Sequence, residues 1–242
     1  MRYFITLSYD GTRFHGWQVQ PNGISVQGEL DRGLSLLLRT EIHTTGAGRT
    51  DAGVHARMMV AHFDMDTEVD GRQLAYKLNK LLPRDICIQR VERVSDELHA
   101  RFSATSRTYH YYLHTCKDPF LRHYSCELHY PLDFDKMNEA ARLLLSYEDF
   151  GAFCKAHADV KTTLCHVTRA EWIQTAPSAW YFEISANRFL RNMVRAVVGT
   201  LIEVGRGRLT IDGFRRVVEG RQRSDAGESM PANALFLEDI QY

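Results

Sequence analysis

The order of its hydrophobic patterns constrains this chain more than any single residue does. Residues 3–10 alternate and carry aromatic and β-branched side chains, which predicts a strand ending at the Asp10-Gly11 turn. Ser25 stands where a helix N-cap belongs, ahead of Val26, Leu30, Leu34, Leu37 and Leu38 at the spacing of one buried stripe. Short strands follow over 42–46 and 58–63. Asp70 then caps a second helix with Leu74, Leu78, Leu81 and Leu82 inward and Pro83 as its stop, and 86–94 reads as a strand. Strand, helix, strand, strand, helix, strand is the split βαβ order of a ferredoxin-like unit.

The second half runs through the same order. Residues 107–115 have strong β propensity. Asp133 caps a helix carrying Met137, Ala141 and Leu144, and strands over 167–173 and 180–186 join around Pro177. A long helix over 189–204, a short one after Thr210 ending at Gly220 and a last strand over 235–241 complete the pattern. The expected fold is α+β: two ferredoxin-like halves, 1–105 and 106–242, meeting as one long, mostly antiparallel sheet. Helices cover one side of it and a cleft crosses the other. No sequence-level repeat accompanies the matching order.

Within that frame, residues 47–55 (Ala-Gly-Arg-Thr-Asp-Ala-Gly-Val-His) set an acid beside a base, among glycines and alanines, on a loop between two strands. Small neighbours leave Asp51 room to meet a ligand, and glycine allows backbone to pass close by. The plainer reading is a tight turn in which Asp51 bonds its own backbone and Arg49 is solvated. Two phosphate loops are excluded. A dinucleotide fingerprint needs glycine where Asp51 stands, and a triphosphate loop needs Lys and Ser or Thr where Val54 and His55 follow Gly53.

Charge narrows the class of partner. Lys and Arg total 30, as do Asp and Glu, with 13 of each sign in 1–105 and 17 of each in 106–242. A nucleic acid would therefore be met by local clusters and not by bulk attraction. Arg188, Arg191 and Arg195 are spaced to share one stripe of the predicted long helix, separate from Leu190, Val194, Val197 and Leu201. A solvated basic face is the alternative. Gly199, one turn beyond Arg195, leaves room for another segment to approach, and Arg206, Arg208, Arg215, Arg216, Arg221 and Arg223 extend the basic character. In the loop over 12–25, Phe14, His15 and Trp17 among Gln18 and Gln20 suit base stacking or a plug for the core.

No apolar run approaches a membrane span, and the N-terminus enters strand-like sequence without a signal-peptide pattern, so a cytoplasmic protein is expected. Five scattered cysteines argue against a disulfide framework and a structural zinc site. His110 and His114 share a face of their strand, where packing outweighs metal binding as an explanation.

Read together, these blocks closely resemble the tRNA pseudouridine synthase A family. The similarity runs in order through Tyr9-Asp10-Gly11-Thr12, Gly16-Trp17-Gln18, Ser25-Val26-Gln27 and Gly48-Arg49-Thr50-Asp51-Ala52-Gly53-Val54-His55. It continues through His99-Ala100-Arg101-Phe102-Ser103-Ala104, Arg107-Thr108-Tyr109, Phe189-Leu190-Arg191-Asn192-Met193-Val194-Arg195, Gly199 and Pro231-Ala232. The resemblance implies a cofactor-free isomerase, with no metal, that converts uridine to pseudouridine at positions 38, 39 and 40 of the tRNA anticodon stem-loop. It implies an RNA-binding cleft and a homodimer. By the same resemblance Asp51 is the catalytic aspartate, Arg49 helps displace the target base, Tyr109 packs against that base and Arg195 pairs with the aspartate. Arg188 and Arg191 join Arg49 and Tyr109 as substrate-binding residues.

The chemistry makes those residue types intelligible. A stacked uridine hides its C1′–N1 bond and C5, so the base has to be extruded. An ionised aspartate can attack the sugar or the ring, or remove a proton to give a glycal. Tyrosine offers a flat face and a hydroxyl for the C5 proton. Three departures stand out: Asn233-Ala234-Leu235 where the family commonly has Gly-Leu after Pro-Ala, a short loop over 156–163, and a short tail after Leu237. A non-catalytic RNA-binding module is the main rival. A glycoside or nucleoside hydrolase is a weaker one, since it needs a second carboxyl partner.

Overall fold

The computed structural model describes residues 1–155 and 161–242. Its strands are β1 (Arg2–Tyr9), β2 (Thr45–Gly46), β3 (His55–Asp64), β4 (Ile86–Val94), β5 (Ser106–His114), β6 (Cys126–Glu127), β7 (Val167–Ala176), β8 (Ala179–Ala186) and β9 (Leu235–Gln241). Its helices are α1 (Val26–Leu38), α2 (Gly71–Leu81), α3 (Phe134–Leu143), α4 (Met193–Gly205) and α5 (Ile211–Gly220). The chain divides into two compact units, residues 1–105 with 236–242 and residues 106–235.

In the first unit β1 lies between β4 and β3, antiparallel to both, and β2 adds to β3 through Thr45↔His62 and Gly46↔Ala61. That is the strand order a ferredoxin-like unit requires. Ser25 Oγ accepts the Gly28 amide at 3.1 Å and Asp70 Oδ1 accepts that of Gln73 at 3.0 Å, so both helices start where the sequence places their caps. Leu30 and Leu34 of α1, Leu74 and Leu78 of α2, and Ile5, Leu7 and Met59 of the sheet are all buried. The expected strand over 42–46 shrinks to Thr45 and Gly46. The amides of Ile42 and Thr44 are taken by Ser35 Oγ and Asp31 Oδ1 of α1, which leaves no sheet ladder for them.

The unit is closed by β9, which the sequence reading gave to the second half. It runs parallel to β3 at His55↔Phe236 and Ala56↔Leu237, and the Gln241 carbonyl accepts the Thr105 amide at 2.8 Å. Tyr242 donates its hydroxyl to the Ala100 carbonyl at 2.8 Å.

In the second unit β8 lies between β5 and β7, antiparallel to both, and β6 pairs parallel with β5. Asp133 and Thr210 cap α3 and α5. Tyr111, Phe182 and Ile184 share one buried face of the sheet, while α4 is buried on nearly all sides. His110 and His114 share the opposite face, as their spacing requires. His110 meets Glu183 at 3.0 Å and stacks on Tyr181, and the buried His114 bonds Ser125 Oγ at 2.8 Å. Among the described residues, no group of three or more His, Cys, Asp or Glu is placed to hold a metal. The short loop over 156–163 lies mostly outside the described residues.

Candidate active site

Two neighbouring segments build the Asp51 loop. After β2 the Ala47 amide still bonds the Val60 carbonyl at 2.8 Å, and the chain leaves the sheet at Gly48. It turns back through Asp51-Ala52-Gly53-Val54, where the Val54 amide bonds the Asp51 carbonyl at 3.1 Å. Gly53 has φ +79° and Ala52 a negative φ, which makes this a type II turn with glycine at the position that demands it. The Gly53 amide bonds the Phe14 carbonyl and the Trp17 amide the Thr50 carbonyl, each at 3.3 Å. Tyr9 and Thr50 share a buried hydroxyl contact at 2.8 Å.

The next residue begins β3. The His55 ring is only 1% exposed, its Nδ1 accepts the Gly11 amide at 3.0 Å, and it stacks 4.5 Å from Phe236. An imidazole used this way is a brace rather than a displayed base. Asp51 is therefore partly buried on a turn fixed from both flanks, while Arg49 stands exposed before it. The loop over 12–25 supplies much of that fixation, because Phe14 and Trp17 are buried and act as its plug. Of the two sequence readings for the aromatics of this loop, packing is the one found for Phe14 and Trp17, while His15 is exposed.

Tyr109, Arg188, Arg191 and Arg195 belong to the second unit. Tyr109 lies on β5 opposite Ile184, partly buried, with its ring edge-on to Phe189 at 5.1 Å. Tyr111, two residues along the same face, is fully buried and donates to the Pro231 carbonyl at 3.1 Å. Burial holds its phenol far above the ordinary range. Arg195 sits in the first turn of α4, where its Nε donates to the Met230 carbonyl at 2.5 Å and its own carbonyl accepts the Met230 amide at 3.2 Å. A Cβ on Gly199 would overlap the Glu228 carbonyl, and the Gly227 amide bonds Thr200 Oγ1 at 2.9 Å. The close approach expected at Gly199 is thus the segment 227–230 lying against α4.

The predicted arginine stripe is not found. α4 begins at Met193, four residues later than expected, because Asn192 takes a left-handed conformation with φ +67° and ties its side chain to Ser229 Oγ at 2.5 Å. Arg188 and Arg191 precede the helix. Arg188 donates to the carbonyls of Thr162 and Leu164, both at 3.3 Å, and the exposed Arg191 accepts the Lys155 amide on its own carbonyl at 3.0 Å. Much of the later basic run is neutralised locally. Arg206 meets Glu203 at 3.1 Å and Arg221 meets Asp149 at 3.1 Å, whereas Arg223 donates to the uncharged Ser229 Oγ at 2.9 Å. Sequence reasoning missed Asn192, Ser229 and Met230 as positioning residues. The signal available was Gly227, the second glycine of the contact with Gly199.

Comparison with known proteins covers almost all of these elements. The family described as tRNA pseudouridine synthase matches residues 5–103 and 140–242. A protein of Bacteroides fragilis named tRNA pseudouridine synthase A is 57% identical over 242 residues, spanning 100% of this chain and 96% of its own length. A Bacillus subtilis protein of the same name is 38% identical over 246 residues, spanning 100% and 99%.

Proposed function

The chain belongs to the tRNA pseudouridine synthase family, and from that premise we propose that it isomerises uridines 38, 39 and 40 in the anticodon stem-loop of tRNA. In this reaction the C1′–N1 bond breaks and a C1′–C5 bond forms, C5 loses a proton and N1 gains one. Atoms and electrons balance within the nucleotide, so no redox cofactor is required.

Asp51 opens the reaction as nucleophile or base, and Arg195 is the cationic residue assigned to act with it. Arg49 fills the space left by the extruded base, Tyr109 packs against the free uracil and takes part in removing the C5 proton, and Arg188 and Arg191 hold phosphates. The observation that carries this reading is the Asp51 turn. Its backbone is fixed by bonds to Tyr9, Phe14 and Trp17 at Thr50 and Gly53, so the Asp51 side chain leaves the chain from a fixed point, beside the small residues Ala52 and Gly53. Preorganisation of this kind serves a group that reacts. A non-catalytic RNA binder gains nothing from presenting a carboxylate to phosphates.

A homodimer working in the cytoplasm completes the proposal. With no net charge, one subunit offers RNA a few arginines, and two subunits pool them. Among the described residues no helix is long and apolar enough to cross a membrane. The experiment is incubation with undermodified tRNA followed by mapping of pseudouridine. Product at 38, 39 and 40 is expected; bound tRNA with no product there overturns the substrate assignment.

A further inference from the structure

Residues 99–103 form a turn with a fixed backbone and an outward ring. The His99 amide bonds Ser103 Oγ and the Ser103 amide bonds the His99 carbonyl, both at 2.9 Å. His99 Nδ1 accepts the amides of Arg101 at 3.1 Å and Phe102 at 3.3 Å, and the Ala100 amide reaches His62 Nδ1 at 3.1 Å. Tyr242 holds the Ala100 carbonyl. Ala100 is fully buried, yet Phe102 is 75% exposed.

That exposure is built in. The Phe102 ring leans on His99 at 4.3 Å, and His99 packs edge-on against His62 at 4.6 Å, so the ring is supported from within. The Arg101 guanidinium lies 5.5 Å from the ring centroid. Burial weakens the basicity of both imidazoles, and that of His62 falls to about 4, so the support is uncharged at neutral pH. The reaction proposed above uses none of these residues.

We propose that Phe102 and Arg101 form a second RNA contact, in which an unpaired base stacks on the exposed ring and an adjacent phosphate meets the guanidinium. The contact rests on the reading of the protein as an RNA enzyme. A protein interface needs a broad apolar core, whereas this ring has the polar and charged neighbours Arg101, Ser103 and Thr105, and the exposed aromatic bonded to the same turn, Tyr242, has its hydroxyl engaged by Ala100. One supported aromatic face beside a flat cation is what a single nucleotide requires. Ala100 is tied to His62, seven residues along β3 from the His55 that follows the Asp51 turn.

The test measures binding of an unmodified tRNA transcript, steady-state pseudouridine formation and solution mass for Phe102→Ala, Phe102→Leu and Phe102→Trp. Ala and Leu are expected to weaken binding and raise KM about 5- to 150-fold with kcat and mass unchanged, while Trp restores affinity. Restoration by Leu, a changed mass in Phe102→Ala, or unaltered binding in Phe102→Ala overturns the contact. Wild-type protein that binds through the ring yet makes no pseudouridine sinks the functional reading and leaves the contact standing. Normal turnover with a silent Phe102→Ala does the reverse.

Discussion

Arg195 and Met230 hold each other twice: the guanidinium Nε donates to the Met230 carbonyl, and the Met230 amide donates back to the Arg195 carbonyl. The side chain proposed to carry charge into the reaction is thus oriented by backbone, and that backbone reaches α4 only because Gly199 has no side chain. Gly199→Ala should push residues 227–230 away, costing about 1–3 kcal/mol of stability. Turnover should fall at least about tenfold as Arg195 loses its orientation. Urea unfolding and single-turnover assays check both; a stable, fully active variant would remove the clamp from the account.

Asp51→Asn preserves shape and removes charge. Turnover should drop by at least about a thousandfold, as it does when a reacting group is deleted. Tryptophan emission and tRNA affinity should stay near those of the wild type, because the turn is held by backbone and by Tyr9, Phe14 and Trp17. Retained turnover would dispose of Asp51 as the reacting group.

Gly53 tests the turn and not the acid. Alanine at φ +79° costs about 1–2 kcal/mol, and the strain falls on the residues that position Asp51. Gly53→Ala should therefore lower kcat more than it raises KM. A change in KM alone would mean that the turn binds RNA without aiming the carboxylate.

His62 sets a pH limit. Burial, helped by the charge of Arg2 and by His99 and opposed by Asp64, lowers its pKa to about 4 from an unfolded value near 6.5. The unfolded chain then binds a proton that the folded one refuses, so this contribution is complete above pH 6.5 and is lost as pH falls towards 4. Its ceiling is about 3 kcal/mol. Protonation also takes away the acceptor for the Ala100 amide. The free energy of unfolding, measured between pH 4 and 7, should fall with acidity in the wild type and fall less steeply in His62→Gln; the same dependence on pH in both would assign the acid sensitivity elsewhere.

Periodicity and caps carried most of the fold on the page of sequence. Ser25, Asp70, Asp133 and Thr210 each accept an amide at the helix start they mark, because a cap is a local device. The start of α4 was hidden, since Asn192 is turned left-handed by a partner 37 residues away and the apolar spacing continues straight through it. The burial of Phe14 and Trp17 was equally open, because it depends on Thr50 and Gly53 coming alongside. Asp51 could be placed on its loop between strands. The parts played by Tyr9, Phe14 and Trp17 in bracing it could not, because each reaches the loop from far away in sequence.

The strand β9 makes the first unit discontinuous. Residues 1–105 leave the ribosome early, but the strand that covers His55, with the Tyr242 after it that secures Ala100, follows only after about 130 more residues, roughly 7–26 s at ordinary rates of synthesis. For that interval the flank of β3 is an open template. A nascent chain halted before residue 236 should be sensitive to protease in its oldest part, and adding the missing strand as a separate peptide should protect it.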